Sequence, residues 1–115
     1  MNRILIIDDE PNSALALGIV LYEHGHEVKV EKDSARALEA VREFRPDVVL
    51  IDFMMPKEHG GEVAWKLHAD PALKNTKLIL YSGMSAEELR PLLPPRDIPI
   101  LEKPVDAQRL LRLLE

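Results

Sequence analysis

The chain lacks cysteine, carries little positive charge and has no long apolar run. The absence of cysteine excludes disulfides, thiolate metal sites and cysteine nucleophiles, and it is compatible with a reducing compartment. Lysine and arginine total 15 against 20 aspartates and glutamates, which argues against a surface that neutralises nucleic-acid phosphates. The apolar runs are too short to span a bilayer, and the N-terminus lacks the layout of a signal peptide. We therefore expect a cytoplasmic protein that binds neither nucleic acid directly nor a membrane.

The length and composition fit one compact domain. The chain has 115 residues, of which 46% are hydrophobic. That is enough for one buried core and too little for two. We therefore expect residues 1–115 to form a single domain.

Three short runs are continuously apolar and rich in β-branched residues. They cover 4–7, 48–51 and 78–81, and such runs are typical of strands buried on both faces of a parallel sheet. Two weaker strands are predicted over 27–31 and 98–101. A lysine alternates with valines in the first and a proline lies inside the second. Both are therefore expected at or near an edge of the sheet.

Segments with helical periodicity lie between these strands. They cover 12–24, 34–44 and 61–68. Asn12 or Ser13 can cap the first of them, and Gly25 supplies a left-handed stop. A last helix is predicted after the N-cap Asp106. These helices and strands alternate along the chain.

The fourth helix is expected to be short. Ser85 and Glu88 have the spacing of a capping box, which predicts where this helix begins. Prolines at positions 91, 94 and 95 leave room for little more than two turns. We therefore expect an irregular segment over 91–99.

Five repeats of strand and helix predict a parallel sheet covered by helices on both faces, because the crossovers are right-handed. Folds of this kind bind their ligands beyond the carboxyl ends of the strands. The polar residues that follow each apolar run are therefore the candidate functional residues.

Five such residues follow four of the strands. Asp8 and Asp9 follow the first strand, Asp52 the third, Ser82 the fourth and Lys103 the fifth. Each has a simple structural explanation on its own, since an acid after a strand often caps the next helix and a lone lysine is usually solvated. All five together, at the edge where this topology builds binding sites, favour a functional site.

The chemistry that suits these residues is phosphoryl transfer with Mg2+. Three carboxylates placed close together repel one another unless they take up protons or bind a cation. Mg2+ uses one or two carboxylates plus waters and phosphate oxygens, which fits Asp9 and Asp52 as direct ligands and Asp8 as a ligand through water. A carboxylate can also attack phosphorus if the transferring group is neutralised. Lys103 and Ser82 would contribute to that neutralisation.

The sequence resembles the receiver domain of two-component response regulators over essentially its whole length. The resemblance rests on ILIIDDEP at 4–11, DVVLIDFMMP at 47–56, Gly60 after that Met-Pro, LILYSG at 78–83 and EKP at 102–104. Each segment is modest alone, but the set in this order and spacing is highly specific.

The resemblance implies a signalling function and assigns roles to the site residues. A phosphohistidine on a histidine kinase or histidine phosphotransfer protein would donate its phosphoryl group, and phosphorylation would alter binding to an output partner that the sequence does not identify. The implied roles are phosphoacceptor for Asp52, Mg2+ ligation for Asp8, Asp9, Asp52 and the Met54 backbone carbonyl, and phosphoryl contact for Ser82 and Lys103.

The resemblance also implies a fold. We expect a flavodoxin-like (βα)5 doubly wound sheet with strand order 2-1-3-4-5, a short proline-broken fourth helix and a cis bond between Lys103 and Pro104. Such a domain catalyses only its own phosphorylation and dephosphorylation, so we do not expect a metabolic enzyme. A homodimer through the last helix is left open.

Two features depart from the family pattern. Ile100 lies three residues before Lys103, where receivers usually carry Tyr or Phe, and the fourth helix is interrupted by proline. A pseudo-receiver, an interaction module without an effective switch, is therefore the alternative function. An aspartyl-phosphate hydrolase is a third, less favoured alternative, since Met54 occupies the position at which those enzymes carry a second aspartate.

Overall fold

The architecture is a parallel sheet with helices on both faces. A computed structural model describes residues 2–115, and its strands are β1 (Arg3–Ile7), β2 (Glu27–Glu31), β3 (Val48–Asp52), β4 (Lys77–Ser82) and β5 (Ile100–Glu102). They pair in parallel in the order β2-β1-β3-β4-β5. The flavodoxin-like fold with strand order 2-1-3-4-5 is therefore confirmed.

Burial follows the position of each strand in the sheet. Every residue of β3 is buried, whereas β2 is largely exposed. The two weaker strands lie at the two edges, as their sequences predicted. β5 begins at Ile100 and not at 98, because Pro99 has no N–H to donate; its carbonyl instead accepts a 2.9 Å hydrogen bond from the Leu80 N–H.

The helices divide between the two faces of the sheet. They are α1 (Pro11–Glu23), α2 (Ala37–Phe44), α3 (Gly60–Ala69), α4 (Ala86–Leu89) and α5 (Ala107–Leu113). Apolar residues of α1 and α5 form one core cluster with the sheet. Those of α2, α3 and α4 form the other. Among residues 2–115, no helix has the length and apolar character needed to cross a bilayer.

The start of α1 differs from its prediction. The side chain of Glu10 caps the helix by accepting hydrogen bonds from the N–H groups of Asn12 and Ser13, at 3.3 Å and 2.8 Å. The expectation that Asn12 or Ser13 would be the cap is therefore wrong. Pro11 occupies the first turn, where its missing N–H costs no helical hydrogen bond. The stop at Gly25 is confirmed by its φ of +85°.

The second helix begins later than predicted. Residues 34–36 form a 3-10 turn capped by the Asp33 side chain, and the α-helix starts only at Ala37. Its end is a left-handed residue, Arg45, with φ 53°. At the other end of the chain, Asp106 caps α5 as predicted.

The fourth helix is short and broken by proline, as predicted. The Ser85 hydroxyl accepts a hydrogen bond from the Glu88 N–H at 3.2 Å, and one α-helical turn follows before a 3-10 turn over Arg90–Leu92. The irregular segment predicted over 91–99 therefore begins only at 93, and Arg90 anchors it by donating to the Ile98 carbonyl at 2.8 Å. The end of the 3-10 turn is held from α3. Trp65 Nε1 donates to the Leu92 carbonyl at 3.1 Å.

Candidate functional site

Three carboxylates meet at the carboxyl edge of the sheet. Asp8 and Asp9 follow β1, and Asp52 is the last residue of the neighbouring strand β3. One carboxylate oxygen from each lies within 4.8 Å of the others. Asp8 and Asp52 are only 1% and 2% exposed, whereas Asp9 is open to solvent. The structure thus brings together the three acids that the sequence singled out.

Lys103 supplies the opposing charge. Its Nζ lies 3.1 Å from Asp52 Oδ1, and its side chain is 36% exposed. The bond from Lys103 to Pro104 is cis, as expected. Asp52 Oδ1 is nevertheless buried without a well-formed hydrogen bond among residues 2–115. Three carboxylates thus converge beside a single ammonium. A divalent cation fits the site because it would offset the remaining negative charge.

The local environment makes Asp52 reluctant to ionise. Burial raises its pKa to about 6, the ammonium of Lys103 opposes the rise, and the nearby Asp8 carboxylate adds to it. A cation bound at this cluster would favour the ionised form. Ionisation of Asp52 and binding of a cation would therefore be coupled.

Ser82 and Met54 lie at the ends of the neighbouring strands. Ser82 ends β4, its side chain is buried, and its hydroxyl oxygen accepts a 3.0 Å hydrogen bond from the Met84 N–H. Its carbonyl accepts a 2.7 Å bond from the Lys103 N–H, which places β4 beside the lysine. Met54 follows Asp52 by two residues and exposes its side chain. Metal ligation by its carbonyl stays a prediction.

Gly60 allows the first turn of α3 to pack closely on the end of β3. A Cβ at this position would lie 2.6 Å from the Asp52 carbonyl oxygen and 2.7 Å from the Phe53 Cα. The Gly60 N–H donates to the Phe53 carbonyl at 2.8 Å. Any side chain here would therefore displace the backbone that carries Asp52.

His59 caps the start of α3. Its ring nitrogen Nδ1 accepts hydrogen bonds from the N–H groups of Gly61 and Glu62, and the His59 N–H donates in return to the Glu62 carboxylate at 3.2 Å. This is a capping box with histidine in place of serine. The ring also stacks on Phe53, with 4.9 Å between centroids. His59 thereby fixes the start of α3 beside Asp52.

The sequence analysis missed Tyr81. Its hydroxyl donates a 2.6 Å hydrogen bond to Asp8 Oδ2. Burial, reinforced by this bond, raises the pKa of Tyr81 well above its usual range, so the phenol keeps its proton. The alternation of side chains along β4 could have indicated this residue. Tyr81 is the register partner of Asp52, and it lies with Ile79 on the face of the sheet that α1 and α5 cover.

The fold and the acidic cluster define a small α/β domain with carboxylates that could bind a metal ion at the carboxyl ends of its strands. Residues 4–115 match the family model of the response regulator receiver domain. The chain therefore belongs to the receiver domain family of two-component response regulators. This family generally acts in signalling and not as a metabolic enzyme.

Comparisons with known proteins agree. The DNA-binding response regulator MtrA of Mycolicibacterium smegmatis is 48% identical over 68 residues, which are 59% of this chain and 30% of MtrA. Protein PilH of Pseudomonas aeruginosa is 32% identical over 99% of this chain and 95% of its own length. A CheY-like receiver domain from Methylobacillus flagellatus superposes with a TM-score of 0.83 at 27% identity, covering 99% of this chain and 96% of that one. The match to MtrA thus spans less than a third of that relative.

Proposed function

We propose that this domain is a phosphoacceptor switch that takes a phosphoryl group onto Asp52 with the help of Mg2+. The observation that carries the proposal is the buried Oδ1 of Asp52, which lacks a well-formed hydrogen bond among residues 2–115 and lies 3.1 Å from Lys103 Nζ. Pairing with the ammonium leaves this oxygen lone pairs with which to attack phosphorus, and the ammonium supplies charge for a transferring phosphoryl group.

The reaction follows from these groups. A carboxylate oxygen of Asp52 attacks the phosphorus of a phosphohistidine, the P–N bond breaks, and an acyl phosphate forms while the histidine nitrogen leaves and takes up a proton. Lys103 and the Ser82 hydroxyl contact the phosphoryl oxygens. Asp8, Asp9, Asp52 and the Met54 carbonyl would hold Mg2+. When bound, Mg2+ neutralises charge on the carboxylates and on the phosphoryl group.

The donor is a histidine kinase or histidine phosphotransfer protein that docks near α1 and the loop at Pro104. Leu15 and Ile19, one turn apart on α1, are 60% and 48% exposed. Exposed apolar residues at this spacing suit contact with a partner helix. The output partner is another protein or domain, and the site of action is the cytoplasm.

Docking on α1 can be tested separately from the chemistry. The test uses a histidine kinase that phosphorylates the wild type. With this donor, Ile19→Glu should be phosphorylated about tenfold more slowly, equivalent to about 1.4 kcal/mol. Phosphorylation by a small-molecule phosphodonor should be unchanged, because that donor needs no docking surface. Equal slowing with both donors would contradict docking on α1.

The alternative function is a pseudo-receiver that binds partners without switching. Two observations favour it: the aliphatic Ile100 is buried where receivers usually carry an aromatic ring, and α4 is a single turn. The geometry of the acidic cluster weighs against it, because a decayed site has no need for three converging carboxylates beside a lysine.

The experiment that separates the two functions is phosphorylation with acetyl phosphate and Mg2+, followed by intact mass spectrometry. The switch predicts the mass gain of one phosphoryl group in the wild type and none in Asp52→Ala. A wild type that stays unmodified under these conditions would support the pseudo-receiver.

A further inference from the structure

One buried side chain contacts both charged halves of the candidate site. Tyr81 is 1% exposed, and its hydroxyl bonds Asp8 Oδ2 at 2.6 Å. Lys103 Nζ lies 5.4 Å from the centroid of its ring. The same residue therefore supports an acid on the metal side and the amine on the phosphoryl side.

The hydrogen bonds of Asp8 show what the hydroxyl does. Asp8 Oδ1 accepts a 2.9 Å bond from the Glu10 N–H, and Oδ2 accepts the bond from Tyr81. The backbone holds one oxygen and the phenol holds the other, so the carboxylate cannot rotate without breaking a bond. Each oxygen keeps a further lone pair for a metal-bound water.

The ring of Tyr81 fixes the hydroxyl in turn. It belongs to the core cluster shared with α1 and α5, together with Ile79, Leu101 and Leu110. Leu101 is its register partner on β5, two residues before Lys103. The phenol is thus held by packing on the strands that carry the site.

We propose that Tyr81 is a positioning residue of this site, whose hydroxyl holds Asp8 in the orientation that binds Mg2+ through water. The inference rests on the proposed function, since it concerns the same ion. Partners that orient metal ligands in this way typically contribute about 10–100-fold to metal affinity. Phenylalanine at position 81 would keep the ring and its packing and remove only the hydroxyl.

The test is a calorimetric titration of Mg2+ into wild type, Tyr81→Phe and Tyr22→Phe. Tyr22 is the other tyrosine of the chain, lies on α1 and is 75% exposed. We expect Tyr81→Phe to weaken Mg2+ binding at least tenfold and Tyr22→Phe to leave it unchanged. Binding by Tyr81→Phe within twofold of the wild type would overturn the inference.

A second readout does not need Tyr81→Phe to fold. Mg2+ binding should perturb the near-ultraviolet absorption of the hydrogen-bonded phenol, so Tyr22→Phe, which retains only Tyr81, should show the full tyrosine difference spectrum. A Tyr22→Phe protein that binds Mg2+ without a tyrosine signal would overturn the inference. If the wild type bound no Mg2+, the proposed function would fail as well. If the wild type binds Mg2+ and Tyr81→Phe binds it equally well, the role of Tyr81 is rejected and the proposed function stands.

Discussion

Replacing Asp52 with asparagine should stabilise the metal-free protein at neutral pH. The carboxylate of Asp52 is buried, faces Asp8, and has a pKa raised to about 6 by that burial. Its ionisation therefore opposes folding whenever no cation is bound. Asparagine has a similar shape and no charge, so the substitution removes the electrostatic cost and preserves most of the packing.

The magnitude follows from the raised pKa. A pKa moved from 3.8 to about 6 corresponds to about 3 kcal/mol, at 1.36 kcal/mol for each tenfold change in proton affinity. Solvent at the mouth of the site, where Asp9 is exposed, screens part of this. We therefore expect Asp52→Asn to be about 2 kcal/mol more stable than the wild type at pH 7.

The sign of the pH dependence can also be worked out. The native state holds the Asp52 proton more tightly than the unfolded chain does, so the protonated group favours folding. This contribution is fully present below about pH 4, the pKa of an unfolded aspartate, and is lost as the pH rises through about 6. The stability advantage of Asp52→Asn should therefore grow from near zero at pH 4 to its full value at pH 7.

The assay is urea unfolding of both proteins with a chelator present, at several values between pH 4 and pH 7. The difference between the two free energies of unfolding reports Asp52 together with its interactions with Asp8 and Lys103, since the other ionisable groups are shared. A difference that stays constant with pH, or a wild type more stable than the variant at pH 7, would refute the reasoning.

Three further predictions follow from the same geometry. Gly60→Ala should destabilise the protein by about 1–3 kcal/mol in urea unfolding, since its Cβ would meet backbone atoms at 2.6 Å and 2.7 Å; unchanged stability would contradict the close contact. His59→Ala should lower the free energy of unfolding in urea by about 1 kcal/mol through loss of the α3 cap, and His59→Ser should restore most of that stability. Equal stability of the two variants would contradict the capping role. Mg2+ at 100 times its Kd should stabilise the wild type by about 2.7 kcal/mol and Asp9→Asn by much less, as measured by thermal unfolding; equal stabilisation would exclude Asp9 as a ligand.

The sheet and the acidic cluster were predictable because their signals are local. Continuous apolar runs identify strands buried on both faces, and the residue that ends such a run lies at the carboxyl edge of the sheet. Asp8, Asp52 and Lys103 could therefore be placed together from the sequence. The prolines at 91, 94 and 95 predicted the shortened α4 for an equally local reason.

The features that were missed depend on how side chains are oriented in three dimensions. Glu10 caps α1 because its backbone is extended and its side chain reaches forward to the N–H groups of Asn12 and Ser13, which were themselves the expected caps. His59 caps α3 through a ring nitrogen, while its ring stacks on Phe53, and histidine is not among the usual capping residues. Tyr81 looks like one more apolar strand residue in the sequence. Only the register between β3 and β4 shows that it is paired with Asp52.

Locating the modified carboxylate decides whether Asp52 is the phosphoacceptor. After incubation with acetyl phosphate and Mg2+, borohydride reduces an aspartyl phosphate to homoserine, which peptide sequencing identifies. The account predicts homoserine at position 52 alone, and none when Mg2+ is removed by a chelator. Homoserine at position 8 or 9, or at no position in the wild type, would contradict the assignment of Asp52 as the phosphoacceptor.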